Sequence, residues 1–408
     1  MNTSPPADTG SILFLGHEAT RTGAPLFMLH VLRWLRENRP YPLEVFLIRG
    51  GELEQDYAAL GRTKSLAAAF RRDLPEKLYY GLHRHLTSEQ RWQRKVRRRV
   101  KLRQPALIYA NTAAAAAAVE ACAGLGIPII WNIHELPFHI GEFNTTGNFD
   151  RARGLADQYI VPSPGVKLGL VERHAIAPEK IAVVSGFVRP EDHARHDQAA
   201  CRAALRRELG LPADAFIAGA CGLVSWLKGV DWFLATAKIL QVEFPGAAIH
   251  LVWLGRPESE RRQREVDFDL RQAGLESHVH FLGARPESAP VLAGLDAFFL
   301  SSREDSNPLV MLEAGFHGLP IVCFDRSGGG PAFVGSDAGV ICDFGDTRAA
   351  ARALVGLKEQ PETRRQMGAA ARGRVLAQYQ LEQQVPKIGA LIDRMTAAPG
   401  RTASHPEA

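Results

Sequence analysis

Two carboxylates, Asp305 and Glu313, frame an Asn307-Pro308 step in "SREDSNPLVMLEAGFHGLP", residues 302–320, with seven residues between them. Pro308 has the fixed φ that suits a first helical position and lacks the N–H that would be unpaired there. The spacing therefore predicts a helix starting at Pro308 with Asn307 as its cap. Leu309 and Val310 then fall in a first turn whose N–H groups carry the positive end of the helix dipole, an anion site. Carboxylates repel an anion, so beside such a site Asp305 and Glu313 must accept hydrogen bonds from another group, and vicinal hydroxyls fit. A phosphate region flanked by hydroxyl-rich groups describes a nucleotide sugar. Each hydrogen bond to a charged acceptor is worth roughly 1.5 to 3 kcal/mol. For Glu313 alone the competing reading is an acid that stabilises its own helix.

These residues need elements to hold them. Short apolar runs alternate with helical segments along the chain, the signature of parallel sheets flanked by helices. The first half offers "ILFLG", "LEVFLIRG", "ALIYAN", "PIIWNIHE", "QYIVPS" and "IAVVSGF"; the second offers "FIAGACG", "IHLVWLG", "VHFLG", "AFFLSS", "PIVCF" and "GVICDF". Between them "VRPEDHARHDQAACRAALRRELGLPADA" is polar and poor in strand formers, which sets a boundary near residue 190. The expected architecture is α/β: two Rossmann-like, doubly wound domains facing across a cleft, residues 1–190 and 191–375. A helix at 376–395 is expected to pack back on the first domain, and 396–408 to be an unstructured tail. Ligands of such sheets bind beyond the carboxyl ends of strands, and "GHEATRTGAP", "HELPFHIG", "SREDSNP" and "DRSGGGP" each follow a strand candidate. The run "AAAAAA" at 113–118 reads as a small-residue helix face.

Composition narrows the class. At 408 residues, 46% hydrophobic and 23% charged, the chain is of ordinary globular make-up. "MNTSPPADTG" has neither a basic n-region nor an apolar run, so no signal peptide is read and a cytoplasmic location is expected. Five scattered cysteines, Cys122, Cys201, Cys221, Cys323 and Cys342, form no CxxC and read as reduced thiols. The fourteen histidines include "HRH" at 83–85 and "HVH" at 278–280 without partner ligands at metal-site spacing, so no metal is expected. The net charge of +5 is unevenly placed. Residues 83–104, "HRHLTSEQRWQRKVRRRVKLRQ", are dense in Arg and Lys, with Leu86, Trp92, Val96, Val100 and Leu102 largely at helical spacing. A basic amphipathic helix at an anionic membrane surface is one reading and a solvated helix face the other. Nucleic acid is not expected as a partner.

"SREDSNPLVMLEAGFHGLPIVCF" resembles the acidic-seven-acidic motif of the retaining glycosyltransferases of family 4, which have the B-type fold of two Rossmann-like domains. The similarity continues through "CGLVSWLKGVDWF", "VHFLGARPESAPVLAGLDAFFLSS", "DRSGGGPAFV", "GHEATRTGAPLFMLHVLRWL" and "WNIHE". The resemblance implies an acceptor-side first domain and a nucleotide-sugar-binding second. It puts Asp305 on hydroxyls of the transferred hexose, Glu313 on the nucleotide ribose and Lys228 on the diphosphate, with main-chain N–H groups from Asn307 through Pro308 to Leu309 beside them. His134 of "WNIHE" is put near the donor sugar or the acceptor. Gly23 of "TRTGAP" matches the glycine that lets the loop approach the sugar diphosphate.

The implied reaction is front-face transfer of a hexose to an acceptor hydroxyl, saccharide or lipid-linked, in polysaccharide or glycolipid assembly. No cofactor is implied, since the nucleotide diphosphate sugar is the donor substrate. The enzyme would be cytoplasmic, or peripheral on the inner face of the membrane. Three positions depart from the pattern: Asp305 stands where Glu is usual, no Arg lies between Gly222 and Lys228, and Ala332 stands where Glu is common. Arg256 and Arg303 are candidates to replace the missing Arg. A nucleotide-sugar epimerase of related fold and a non-catalytic polyanion-binding protein are the alternatives.

Overall fold

The computed structural model describes residues 10–66 and 87–397. Residues 398–408 of the expected tail and 83–86 of the basic segment lie outside them. Two compact units emerge, one of residues 1–162, 166–184 and 385–408, the other of 163–165 and 185–384.

The first unit is built on a seven-stranded parallel sheet ordered β3-β2-β1-β4-β5-β6-β7. Its strands are β1 (Ile12–Gly16), β2 (Leu43–Leu47), β3 (Arg62–Ser65), β4 (Leu107–Asn111), β5 (Ile129–Asn132), β6 (Gln158–Val161) and β7 (Ile181–Val183). Every residue of β1, β2, β4 and β5 is buried, as apolar runs covered on both faces require. The alanine run forms a 3-10 turn, Ala113–Ala115, and a short helix, Ala116–Glu120, most of it buried. The final helix, Leu381–Ala397, presents Asp393, which accepts from Arg39 Nε at 2.8 Å and from the Tyr41 hydroxyl at 3.0 Å.

The basic segment is a helix, Ser88–Arg103, opened by a capping box between Thr87 and Gln90. Val96 and Val100, from the stripe that could have faced lipid, are wholly buried in the protein core. Of the apolar residues in this helix Leu102 remains outside, at 74% exposure, beside exposed Arg94, Arg98 and Lys101. No described helix is long and apolar enough to cross a membrane.

The second unit has a six-stranded parallel sheet ordered β10-β9-β8-β11-β12-β13. Its strands are β8 (Phe216–Cys221), β9 (Ile249–Leu254), β10 (Val279–Phe281), β11 (Ala297–Leu300), β12 (Ile321–Phe324) and β13 (Gly339–Cys342). Alternate residues feed two cores: Leu251, Trp253 and Phe299 enter one, Val252, Leu254 and Phe298 the other. At the start of β11, the buried Asp296 receives Arg206 Nη2 at 2.5 Å and the Ile217 N–H at 2.8 Å. Arg206 also donates to the carbonyls of Ala215 at 2.7 Å and Gly294 at 3.0 Å. A buried pair with its remaining donors satisfied tolerates loss of one partner poorly, because the other charge is stranded. Asp296→Ala should therefore cost about 3 to 5 kcal/mol in urea unfolding; a loss under about 1 kcal/mol would mean the pair behaves like an exposed one.

Candidate functional site

In the second unit the strand order reverses between β8 and β11, which are hydrogen-bonded neighbours although β9 and β10 intervene in sequence. Loops leaving the two strands therefore part at one point of the carboxyl edge. Lys228 lies on the first loop and Asp305 on the second, and the Lys228 ammonium donates to Asp305 Oδ2. Ser302 Oγ donates to the same oxygen at 3.3 Å. Asp305 is also held by its main chain: its N–H donates to Ser327 O at 2.8 Å and its carbonyl accepts from Gly329 at 2.9 Å.

The lysine loop is fixed with similar care. Ser301 Oγ donates to the Lys228 carbonyl at 2.9 Å, and Arg303 N–H to Leu227 O at 2.8 Å. Gly229 has φ +70°, and a Cβ there would stand 2.0 Å from Ser301 O, so glycine is required where the chain enters the helix Val230–Glu243. Arg303, a candidate replacement for the missing Arg, is already engaged. Its guanidinium forks onto Asp231 at 2.6 and 2.7 Å and lies over the rings of Trp232 and Trp226, 4.0 and 4.6 Å from their centroids.

The helix after Asp305 runs Leu309–Phe316, one residue later than expected. Pro308 has ψ 112°, extended rather than helical, and its carbonyl accepts from Met311 at 3.0 Å. Pro308, not Asn307, is thus the cap residue. Asn307 turns its amide inward, where Nδ2 is buried with no hydrogen-bond partner among the described residues. Leu309 and Val310 do form the first turn. Glu313, one turn further on, accepts from Ser288 Oγ at 2.8 Å. The thiol of Cys221, the last residue of β8, is pushed up to about 12 by burial and then by Glu313, with Lys228 opposing, so both charges reach one group.

In the first unit the corresponding reversal falls between β1 and β4. Gly23 opens the helix Gly23–Asn38, and a Cβ placed on it would meet no atom within 4 Å. His134 follows β5. Its Nε2 is 2.9 Å from Asn111 Oδ1 and 3.0 Å from Asn132 Nδ2, and its main-chain N–H donates to Glu135 Oε2 at 3.0 Å. Glu135 Oε2 also accepts from Ala113 N–H at 3.0 Å. Burial, and then the field of His17, depress His134 to about 3, so the ring is neutral at ordinary pH. Asn111, Asn132 and Ser288 escaped the sequence reading. Their trace was two buried strands, "LIYAN" and "IIWN", each ending in Asn and pairing Asn111 with Asn132 in register.

The pattern described as Glycosyltransferase Family 4 matches residues 21–192, and that described as Glycosyl transferases group 1 matches residues 215–360. The chain belongs to this family of glycosyltransferases. Gly23 and His134 fall within the first match, and Lys228, Asp305, Asn307, Pro308, Leu309 and Glu313 within the second. Among curated relatives, the D-inositol 3-phosphate glycosyltransferase of Corynebacterium diphtheriae is 31% identical over 260 residues, 60% of each chain. The N-acetyl-alpha-D-glucosaminyl L-malate synthase of Bacillus anthracis is 37% identical over 114 residues, 28% of this chain and 30% of that one. The chain spans 48% and 60% of the length of two of these D-inositol 3-phosphate enzymes. The fold is that of Anabaena HepE, solved with UDP and glucose: TM-score 0.74, 19% identity, 94% of this chain and 99% of that one. The sucrose-phosphate synthase of Thermosynechococcus elongatus shares it with TM-score 0.73, 18% identity, and 96% and 100% coverage. Among the described residues of this glycosyltransferase, no group of three or more His, Cys, Asp or Glu is arranged to hold a metal.

The depressed His134 has a consequence for stability. Its unfolded value is 6.5 and its folded value about 3, so between these the unfolded chain binds more protons. That contribution is present above pH 6.5 and is lost as pH falls toward 3. His134→Gln should flatten the decline in urea-unfolding free energy across this window relative to wild type; parallel curves would mean the ring titrates normally.

Proposed function

We propose that this family 4 glycosyltransferase is a retaining enzyme that moves a hexose from a nucleotide diphosphate sugar to an acceptor hydroxyl. The observation that carries the reading is the Lys228–Asp305 contact at the strand-order reversal of the second unit. Lys228 neutralises the departing diphosphate, aided by N–H groups at the start of the helix Leu309–Phe316. Asp305 accepts from hydroxyls of the hexose and Glu313 from the ribose, on opposite sides of the phosphates. Asn307, whose Nδ2 is buried without a partner among the described residues, supplies a donor there, and Pro308 sets where the helix begins. Gly23 lets phosphate approach the main chain, and His134 bonds a sugar hydroxyl. The leaving phosphate assists front-face attack, so no enzymatic nucleophile is assigned, and no metal or cofactor step is drawn.

Lys228→Ala should lower kcat about 100- to 1,000-fold, as loss of one preorganised charge donor does. Glu313→Ala should raise the donor KM by an order of magnitude or more, in line with roughly 1.5 to 3 kcal/mol for a charged acceptor. Gly23→Ala should weaken donor binding while leaving the melting temperature unchanged, because the protein has space for the methyl group. Steady-state transfer from a panel of nucleotide sugars reads all three, and a donor-only incubation detects epimerisation. Wild-type turnover in folded Lys228→Ala and Glu313→Ala would overturn the assignment.

The names of the curated relatives carry D-inositol 3-phosphate and L-malate, so family membership does not fix the acceptor. A saccharide or lipid-linked acceptor in polysaccharide or glycolipid assembly, at the cytoplasmic face of a membrane, is supported by the exposed basic face of Ser88–Arg103. With Val96 and Val100 in the core, this face would bind by charge rather than by insertion. Arg94→Glu, Arg98→Glu and Lys101→Glu together should reduce co-sedimentation with phosphatidylserine vesicles, by about 1 kcal/mol per residue and more steeply at low salt. Unchanged partitioning would leave the helix a solvated face.

A further inference from the structure

The buried polar cluster at the carboxyl ends of β4 and β5 contains an amide whose orientation is decided by its surroundings. Asn111, 1% exposed, donates Nδ2 to the carbonyl of Ala24 at 3.1 Å. A carbonyl can only accept, so Nδ2 is the atom facing it and Oδ1 is the atom facing His134. Oδ1 lies 2.9 Å from His134 Nε2 and, as an amide oxygen, cannot donate. A hydrogen bond there requires the proton on Nε2. Asn132 Nδ2, also a donor, is 3.0 Å from the same nitrogen and 3.4 Å from Asn111 Oδ1. With Nε2 protonated, Asn132 directs its hydrogen to that oxygen, and all three groups are consistent. The imidazole is neutral, so a proton on Nε2 leaves Nδ1 with its lone pair.

We infer that Asn111 is a positioning residue that fixes His134 as the Nε2–H tautomer and presents Nδ1 as a hydrogen-bond acceptor to a sugar hydroxyl. This rests on the role given to His134 above; the tautomer itself does not. Through Ala24 the same amide ties the ring to the first turn of the helix that opens at Gly23, so the histidine and the glycine loop share one anchor. An alanine at 111 does more than remove a bond. It leaves Asn132 Nδ2 as the polar neighbour of Nε2, and a donor there demands a lone pair, which moves the proton to Nδ1.

Histidine-nitrogen NMR on the isotope-labelled full chain, with His134 assigned by its loss in His134→Gln, tests this directly. Wild type should show His134 neutral and protonated on Nε2. Asn111→Ala should invert it to the Nδ1–H form, and Asn111→Asp, which retains an acceptor oxygen and adds charge, should keep Nε2–H and raise the titration midpoint. Nδ1–H in wild type, or an unchanged tautomer in Asn111→Ala that melts as wild type does, overturns the inference. Should Asn111→Ala not fold, an unmoved midpoint in Asn111→Asp overturns it equally. With UDP-glucose as probe donor, Asn111→Ala should lower the rate of UDP release about as much as His134→Gln and add nothing in the His134→Gln background. A loss seen without acceptor assigns the hydroxyl to the donor, and a loss seen only in transfer assigns it to the acceptor. Full activity of His134→Gln would remove the role proposed for His134, while the NMR result would still decide the tautomer.

Discussion

A parallel sheet opens a crevice at its carboxyl edge where its strand order reverses and the loops leaving two neighbouring strands part to opposite faces, and both units of this chain are organised by that constraint. Strands entering in the order three-two-one and then four-five-six put the first and fourth in contact, while their following helices go to opposite faces. In the second unit the two loops so exposed carry Lys228 and Asp305, separated by 77 positions in sequence. In the first unit one loop leads to the start of the glycine helix, Asn111 ends the other strand, and the loop after the next strand carries His134. The chemistry needs charged and polar groups beside one another, whereas the core needs long apolar strands. Reversal satisfies both, since it leaves the strands apolar and assigns polarity to their ends.

Much of this was legible because parallel strands buried on both faces announce themselves as unbroken apolar runs. Every run proposed became a strand, from "ILFLG" to "GVICDF". The strand that went unseen, β3 at Arg62–Ser65, sits at the sheet edge, is partly exposed and reads "RTKS", with no apolar residue. Its place comes from backbone pairing with β2, which composition does not encode. The helix start after Asp305 was misread by one residue for a related reason. Proline permits the helical ψ but does not impose it, and Pro308 has an extended ψ of 112°.

Polar residues were harder to read than apolar ones. Asn111 and Asn132 look like strand ends in the sequence, and their importance lies in sharing one register across two strands, a relation between positions 21 apart. Ser288 is one of many serines until Glu313 turns toward it. The basic helix shows the converse error: helical spacing of Trp92, Val96 and Val100 was visible, but spacing cannot say whether an apolar stripe faces lipid or the protein interior. Burial decides, and for Val96 and Val100 it decides for the interior.

The loop that bears Lys228 is bolted down along its length: a hydroxyl grips its carbonyl, a glycine fits against Ser301 with no clearance, and a guanidinium wedged between two indoles holds the turn. These contacts restrain the main chain at Lys228, and the rotatable part of the arm is its own methylenes, ending at Asp305. Such a tether acts like a boom of fixed pivot, whose tip can reach only the shell measured out by the length of its own side chain.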